Sequence, residues 1–162
     1  MNKTITIQQA QTISQKIKAE NKTIVLTGGC FDILHIGHIK LLEESKKQGD
    51  YLFILLENDK SVKKLKGEDR PINSQIERAK VLEAIVFVDY IIVLPNMKTN
   101  KDWDELILKL NPDIITTTKG NPQAVHNVRQ AKLVNAKVIF VIDKIENKST
   151  TRLAKIISEN FK

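Results

Sequence analysis

Two histidines three positions apart, His35 and His38, close the stretch Gly28-Gly29-Cys30-Phe31-Asp32-Ile33-Leu34-His35-Ile36-Gly37-His38. Paired glycines let backbone N–H groups approach a ligand with no side chain in the way. Imidazoles donate N–H to anionic oxygens. The apolar pattern that begins at Ile36 predicts a helix, and a helix start carries free N–H groups and the positive end of a dipole. Donors of this kind suit the oxygens of a polyphosphate, and Gly37 leaves room for a phosphate or a neighbouring backbone. Taken singly, Phe31 reads as core, Asp32 as a turn cap and each histidine as incidental. Together they spell Gly-x-Phe-Asp-x-x-His-x-Gly-His, whose six fixed positions arise by chance in a chain this long on the order of once in a million.

A second candidate lies near the end of the chain. Ser149, Thr150 and Thr151 precede an apolar helical pattern, where hydroxyls cap a helix and also bind phosphate. Asp89, His126 and Trp103 read as a turn or cap residue, a surface residue and a packing residue. Asn147-Lys148-Ser149-Thr150 lacks the glycines of a Walker loop, and no Gly-x-Gly-x-x-Gly is present.

The elements that must position these residues alternate. Short apolar runs rich in β-branched residues at 22–27 (KTIVLT), 51–56 (YLFILL), 90–94 (YIIVL), 113–116 (DIIT) and 137–142 (KVIFVI) predict buried strands. Helical patterns fall at 7–19, 36–47, 74–86, 101–110, 122–134 and 150–160. Near-continuous apolar strands alternating with helices predict an α/β fold, a Rossmann-like, doubly wound, five-stranded parallel sheet with helices on both faces. Ligands of such sheets sit beyond the carboxyl ends of the strands, at the switch point. No repeat or linker interrupts the pattern, so residues 1–162 read as a single domain.

Composition narrows the class. The chain of 162 residues is 41% hydrophobic and 28% charged, which excludes a disordered tail and a disulfide-stapled miniprotein. Cys30 is the one cysteine, so no cysteine-based metal site can form. No run is long enough to cross a bilayer and the first residues lack a signal peptide's apolar block, so a cytosolic protein without a membrane partner is expected. The net charge of +7 comes mostly from scattered lysines, and aromatics make up only 5%. A nucleic-acid binder clusters its basic residues and interleaves aromatics, so no nucleic-acid partner is expected.

The first loop carries the signature of the HIGH-motif nucleotidyltransferases, the cytidylyltransferase-like superfamily. The resemblance continues through Leu65-Lys66-Gly67, Arg70-Pro71-Ile72-Asn73, Glu77-Arg78, Val88-Asp89-Tyr90, Asn111-Pro112-Asp113 and Ser149-Thr150-Thr151. In this order the segments most resemble the adenylyltransferase domain of ADP-heptose synthases, over about residues 22–157. Glycerol-3-phosphate cytidylyltransferases share the loop, the Arg and the Ser-Thr-Thr, and match less through residues 70–73.

The resemblance implies an enzyme that moves a nucleoside monophosphate from ATP or CTP to a small phosphorylated substrate and releases pyrophosphate. It implies His35, His38 and Lys66 as catalytic groups. Gly29, Cys30, Phe31 and residues 149–151 would join them around the nucleotide, with Arg78 and Lys119 against the acceptor. Mg²⁺ is expected to arrive with the triphosphate, with no metal site of the protein's own, and a second copy of the chain is the one macromolecular partner left open. One departure stands out. After Pro112-Asp113 the heptose family reads V-L-V-K-G-x-D-Y, whereas this chain reads Ile114-Ile115-Thr116-Thr117-Thr118-Lys119-Gly120-Asn121-Pro122. Base and acceptor choice turn on that segment. The competing readings are a cytidylyltransferase for glycerol 3-phosphate or a similar polyol phosphate, and a nucleotide-binding module without turnover.

Overall fold

The runs of apolar residues that read as strands lie side by side, all parallel, in one sheet. A computed structural model of the chain describes residues 2–143. The elements are β1 (Thr4–Ile5), α1 (Ile7–Ala19), β2 (Ile24–Gly29), α2 (Ile36–Lys46), β3 (Tyr51–Leu56), α3 (Asp59–Lys66), α4 (Gln75–Glu83), β4 (Tyr90–Val93), α5 (Asn100–Leu110), β5 (Ile114–Lys119), α6 (Ala124–Leu133) and β6 (Lys137–Asp143). The strand order is β1-β4-β3-β2-β5-β6.

Among the described residues six strands, not five, form the sheet. The extra one is β1, whose two residues pair with Ile91 and Ile92 of β4. Two residues cannot show a period of two, so the sequence pattern is silent there. Helix α3 is also additional: its segment DKSVKKLK buries only Val62. The helix expected at 150–160 lies outside the described residues.

Alternation along each central strand divides the core. From β3, Phe53 and Leu55 pack with Ala10 and Ile17 of α1, Leu106, Ile107 and Leu110 of α5, and Ala131 of α6. Leu52, Ile54 and Leu56 point the other way, onto Leu42 of α2 and Ala79 and Leu82 of α4. Each such side chain removed from water contributes roughly 1.5–3 kcal/mol, so the two-faced packing fixes the register of β3 between its neighbours.

The amino ends of the strands are pinned by carboxylates. Asp50, Asp89 and Asp113 each precede a strand and accept a hydrogen bond from backbone in, or just before, a neighbouring strand: Thr23 N at 2.8 Å, Leu52 N at 2.7 Å and Ile24 N at 2.8 Å. Lys46 Nζ, 2.6 Å from Asp89, adds an ion pair. Asp89 is therefore a structural carboxylate at the edge of the sheet opposite the histidine loop.

At the other edge the sheet opens. The chain winds outward from β2 through β3 to β4, then returns to the far side of β2 with β5. That reversal is the switch point. The β2–β3 ladder runs to Gly29 and Leu56, whereas β2 and β5 pair only at Val25–Ile114 and Leu26–Ile115 although both strands continue. Beyond Leu26 the two strands are joined through side chains. Thr27 Oγ1 donates to Thr116 O at 3.1 Å, and Ser45 Oγ lies 2.7 Å from Thr116 Oγ1. These buried hydroxyls floor the parting between β2 and β5.

Candidate active site

Strand β2 ends on Gly28 and Gly29, and the chain then turns sharply through Phe31, which holds a left-handed φ of 46°. Such a conformation costs a residue with a side chain on the order of 1 kcal/mol or more, and surrounding contacts must hold it. The Phe31 ring is 2% exposed. It lies so close to Gly29 that a Cβ built there would sit 3.1 Å from the ring, so Gly29 has a packing reason to be bare.

Asp32 then anchors the loop. Its carboxylate accepts from Arg70 Nε at 2.6 Å, Ile72 N at 3.0 Å and Asn73 N at 2.9 Å, and Asn73 Nδ2 donates back to Asp32 O. Burial works to raise this carboxyl, but the two backbone N–H groups and Arg70 outweigh it and hold the group below the ordinary aspartate range. The Arg70–Asn73 segment, quoted above as part of the resemblance, is thereby tied to the histidine loop by a buried ion pair.

His35 is the N-cap of α2. Its Nδ1 accepts from Gly37 N at 3.1 Å, which assigns the ring proton to Nε2 and leaves that N–H as a donor. One helical turn on, His38 stacks against it with ring centroids 3.9 Å apart, and Phe31 flanks His38 at 5.3 Å. Burial, then the neighbouring His35, pulls His38 down to about 4, and burial lowers His35 as well. Both rings are neutral at neutral pH. His38 Nδ1 is buried with no hydrogen-bond partner among the described residues.

Lys66 closes α3 and is exposed, followed by Gly67 at φ 109°. Burial raises the Cys30 thiol, and the positive charge of Lys66 nearby opposes that rise. Lys119 closes β5 across the parting, 3.5 Å from Asp143 with both side chains largely exposed. An open hollow of about 530 Å³ lined by Lys119 and residues 140–143 lies beside it. Gly120 follows at φ 77°, and Asn121 Nδ2 donates to Thr117 Oγ1.

Arg78 is placed differently from the other candidates. Its side chain is fully buried under the loop, where it bonds protein oxygens. Ser149, Thr150 and Thr151 lie outside the described residues. The structure thus gathers Gly29, Cys30, Phe31, His35, His38 and Lys66 around one turn, with Lys119 on the next strand.

Sequence reasoning passed over Glu57 and Asn58. Glu57 follows the last residue of β3, its carboxyl is raised by burial, and its Oε2 has no partner among the described residues. Asn58 caps α3 through Oδ1 while its Nδ2 has no partner among the described residues. The signal was available: a carboxylate directly after a wholly apolar strand sits at the carboxyl edge where ligands bind.

A doubly wound sheet parted at its switch point, with neutral donors at a helix start beside the parting, defines an α/β nucleotide-binding domain. The chain belongs to the cytidylyltransferase-like family, whose family model matches residues 26–156, and so to the nucleotidyltransferases. It is 43% identical over 150 residues to the bifunctional protein HldE of Campylobacter concisus (strain 13826), covering 92% of this chain and 29% of that protein. It is 40% identical over 146 residues to the bifunctional protein HldE of a Nitratiruptor species, covering 90% of this chain and 30% of the relative. The chain thus spans about 30% of the length of these curated relatives. Among solved structures, the lipopolysaccharide core biosynthesis protein of Thermoplasma volcanium GSS1 superposes with a TM-score of 0.60 at 28% identity, over 78% of this chain and 99% of that one. Pantoate-beta-alanine ligase of Francisella tularensis shares the fold, with a TM-score of 0.69 at 14% identity over 98% of this chain and 74% of that chain.

Proposed function

We propose that the chain transfers AMP from ATP to a phosphorylated sugar such as heptose 1-phosphate and releases pyrophosphate. The observation that carries this reading is the stacked, neutral pair His35–His38 at the start of α2, beside the parting of β2 and β5. The resemblance to ADP-heptose synthase adenylyltransferase domains supports the sugar phosphate as acceptor, and the likeness to a lipopolysaccharide core biosynthesis protein is in keeping with it.

In the reaction, an oxygen of the acceptor's phosphate forms a bond to the α-phosphorus of ATP. The bond from that phosphorus to the bridging α–β oxygen breaks, and its electron pair leaves with pyrophosphate. A phosphate monoester has a second pKa of about 6 and is already mostly dianionic at neutral pH, so no general base is required. What remains is positioning and the stabilisation of charge as it shifts from the acceptor to the leaving group. The His35 Nε2–H, the His38 imidazole, the N–H groups of the Gly29–Phe31 turn and the dipole of α2 face that charge. Lys66 neutralises the polyphosphate from the β3 side, and Lys119 draws the acceptor's phosphate from the β5 side. Residues 149–151 carry hydroxyls assigned to the nucleotide by the resemblance alone.

Mg²⁺ would come with the triphosphate. Among the described residues no three His, Cys, Asp or Glu side chains stand together as a metal site, and the Asp32 carboxylate is spent on Arg70, Ile72 and Asn73. The donor set fits an ion held by phosphate oxygens and water.

A pyrophosphate-release screen tests the reading, crossing ATP and CTP with heptose 1-phosphate, glycerol 3-phosphate and other polyol phosphates. Fastest release with ATP and the heptose phosphate is expected. Preference for CTP with glycerol 3-phosphate would move the chain to the cytidylyltransferase branch, the alternative that the departure at residues 116–122 leaves open. Triphosphate binding without release for any pair would make it a binding module.

A further inference from the structure

Arg78 sits in the first half of α4 and is 1% exposed, an expensive place for a charge unless every side of the guanidinium is answered. It is answered by three separate segments. Nε donates to Asn73 O at 3.0 Å, Nη1 to Cys30 O, and Nη2 to Glu57 O at 2.7 Å and to Asp59 Oδ1 at 2.8 Å. Three of the acceptors are backbone carbonyls at the carboxyl edge of the sheet, and the one carboxylate, Asp59, is about half exposed.

The bond to Cys30 O has a consequence for the ligand side of the loop. In a planar trans peptide the C=O and the following N–H point in opposite directions. A guanidinium that holds the Cys30 carbonyl beneath the loop therefore turns the Phe31 N–H away from itself, and this N–H has no acceptor among the described residues. Asn73 links the same brace to Asp32, since its carbonyl meets Arg78 while its N–H meets the Asp32 carboxylate.

We propose that Arg78 is a positioning residue for triphosphate binding: it fixes the Cys30–Phe31 peptide so that the Phe31 N–H is presented to phosphate, and it does not itself touch substrate. The proposal rests on the nucleotidyltransferase reading for the identity of the ligand. Lysine at this position keeps the charge but cannot meet three divergent carbonyls, because its donors share one nitrogen.

The test uses the full chain with Arg78→Lys, and Asp59→Asn as a second variant that removes one hold from a half-exposed position. Three measurements are made on each: thermal melting, hydrogen exchange of the peptide spanning residues 28–34 in the ligand-free protein, and calorimetric titration with MgATP and, separately, with glycerol 3-phosphate and heptose 1-phosphate. For folded Arg78→Lys, exchange in that peptide rises by about tenfold or more. MgATP affinity falls by about 10–100-fold, the scale for a misplaced preorganised donor, while acceptor affinity stays within about twofold. Asp59→Asn gives the same pattern at smaller amplitude, and decides the matter if Arg78→Lys does not fold. Unchanged exchange and unchanged MgATP affinity overturn the proposal. So does a loss confined to the phosphorylated acceptors, which would make Arg78 a substrate ligand. A wild-type chain that binds no triphosphate overturns the nucleotidyltransferase reading instead, and the exchange measurement still decides whether Arg78 orders the loop.

Discussion

The imidazoles of His35 and His38 stack with centroids 3.9 Å apart and planes inclined by 26°, and burial, with His35 as a lesser influence on His38, keeps both rings neutral. Two cations at that separation in a half-buried site would repel strongly. The pair is neutral at neutral pH. Neutral donors accept an incoming anion without first releasing a counter-ion.

Stability should therefore respond to pH through His38. Its folded value is about 4, against an ordinary histidine value of 6.5. Between the two, the unfolded chain binds a proton that the folded chain does not. The histidine's contribution is fully present above 6.5, is lost as pH falls toward 4, and changes no further below that. The loss is on the order of 3 kcal/mol. Glu57, raised by burial, acts with the opposite sign, so denaturant titrations of wild type and His38→Asn at about pH 7 and about pH 4.5 should be compared by difference. An equal acid loss in both proteins would show that His38 does not carry the effect.

Removing the donor should cost rate more than fold. His38→Ala is expected to melt near wild type and to turn over roughly 10²–10³-fold more slowly. His35 needs a finer comparison because it also caps α2. His35→Ala should lose about 1 kcal/mol of stability, whereas asparagine, a good N-cap, should recover most of it. Both His35 variants should stay slow. Recovery of turnover in His35→Asn would assign His35 to capping alone.

Asp32→Asn probes the anchor of the loop. The substitution leaves Arg70, whose side chain is 9% exposed, beside a neutral amide, and breaking a buried pair costs about 3–5 kcal/mol. Because the Asp32 carboxyl is held below its ordinary range, its contribution is present at neutral pH and falls away only as acid approaches that lowered value. The destabilisation should therefore be large at neutral pH and shrink in strong acid. A variant as stable as wild type at neutral pH would mean that the carboxylate does not anchor residues 70–73.

The histidine loop was legible in sequence because its chemistry is local: one strand end, one turn and one helix start place His35 and His38 together whatever the remainder does. The strands β2 to β5 were legible for a similar reason, their apolar centres being buried. Strand β6, also expected to be buried, was legible from its β-branched run although its residues are only half-buried or exposed. Strand β1 was not, since two residues become a strand only through Ile91 and Ile92. Arg78 was the harder case. A guanidinium on a helix between apolar positions reads as a solvated flank or an internal ion pair, and by the resemblance as a group reaching phosphate; the pair it makes is with Asp59. Its burial depends on carbonyls at Cys30 and Glu57, 48 and 21 residues away in the chain. Glu57 was marked in sequence by its place directly after a wholly apolar strand, whereas the unpaired atoms of Glu57 and Asn58 among the described residues are a property of packing.

Lys119→Ala separates the two sides of the site. Its ion pair with Asp143 is exposed, so stability should change by no more than about 0.5 kcal/mol. The KM for the phosphorylated acceptor should rise by about tenfold with MgATP affinity unchanged. If MgATP affinity falls instead, Lys119 belongs with the nucleotide.

ATP should be preferred to CTP. Residues 66–73 and 78–89 resemble the adenylyltransferase branch, and the Arg70–Asn73 segment that carries much of that likeness is bonded directly to the histidine loop through Asp32. The base must find its partners elsewhere, along the carboxyl end of β5, where the chain departs from the heptose family. There the β5–β6 register shifts between Thr117 and Thr118, which re-aims backbone groups, and Asn121 folds back onto Thr117. Selectivity at such a rim comes from base-edge groups left unpaired by the wrong nucleotide, which can be worth several powers of ten. A site that reads only the larger stacking surface of a purine would discriminate far less. Measured with a matched acceptor, kcat/KM for ATP should exceed that for CTP, and Asn121→Ala should narrow the ratio by lowering the ATP value. A CTP value equal to or above that for ATP would overturn the adenylyl assignment and leave the phosphate-handling loop, with its paired histidines, as the part of the site shared by both branches.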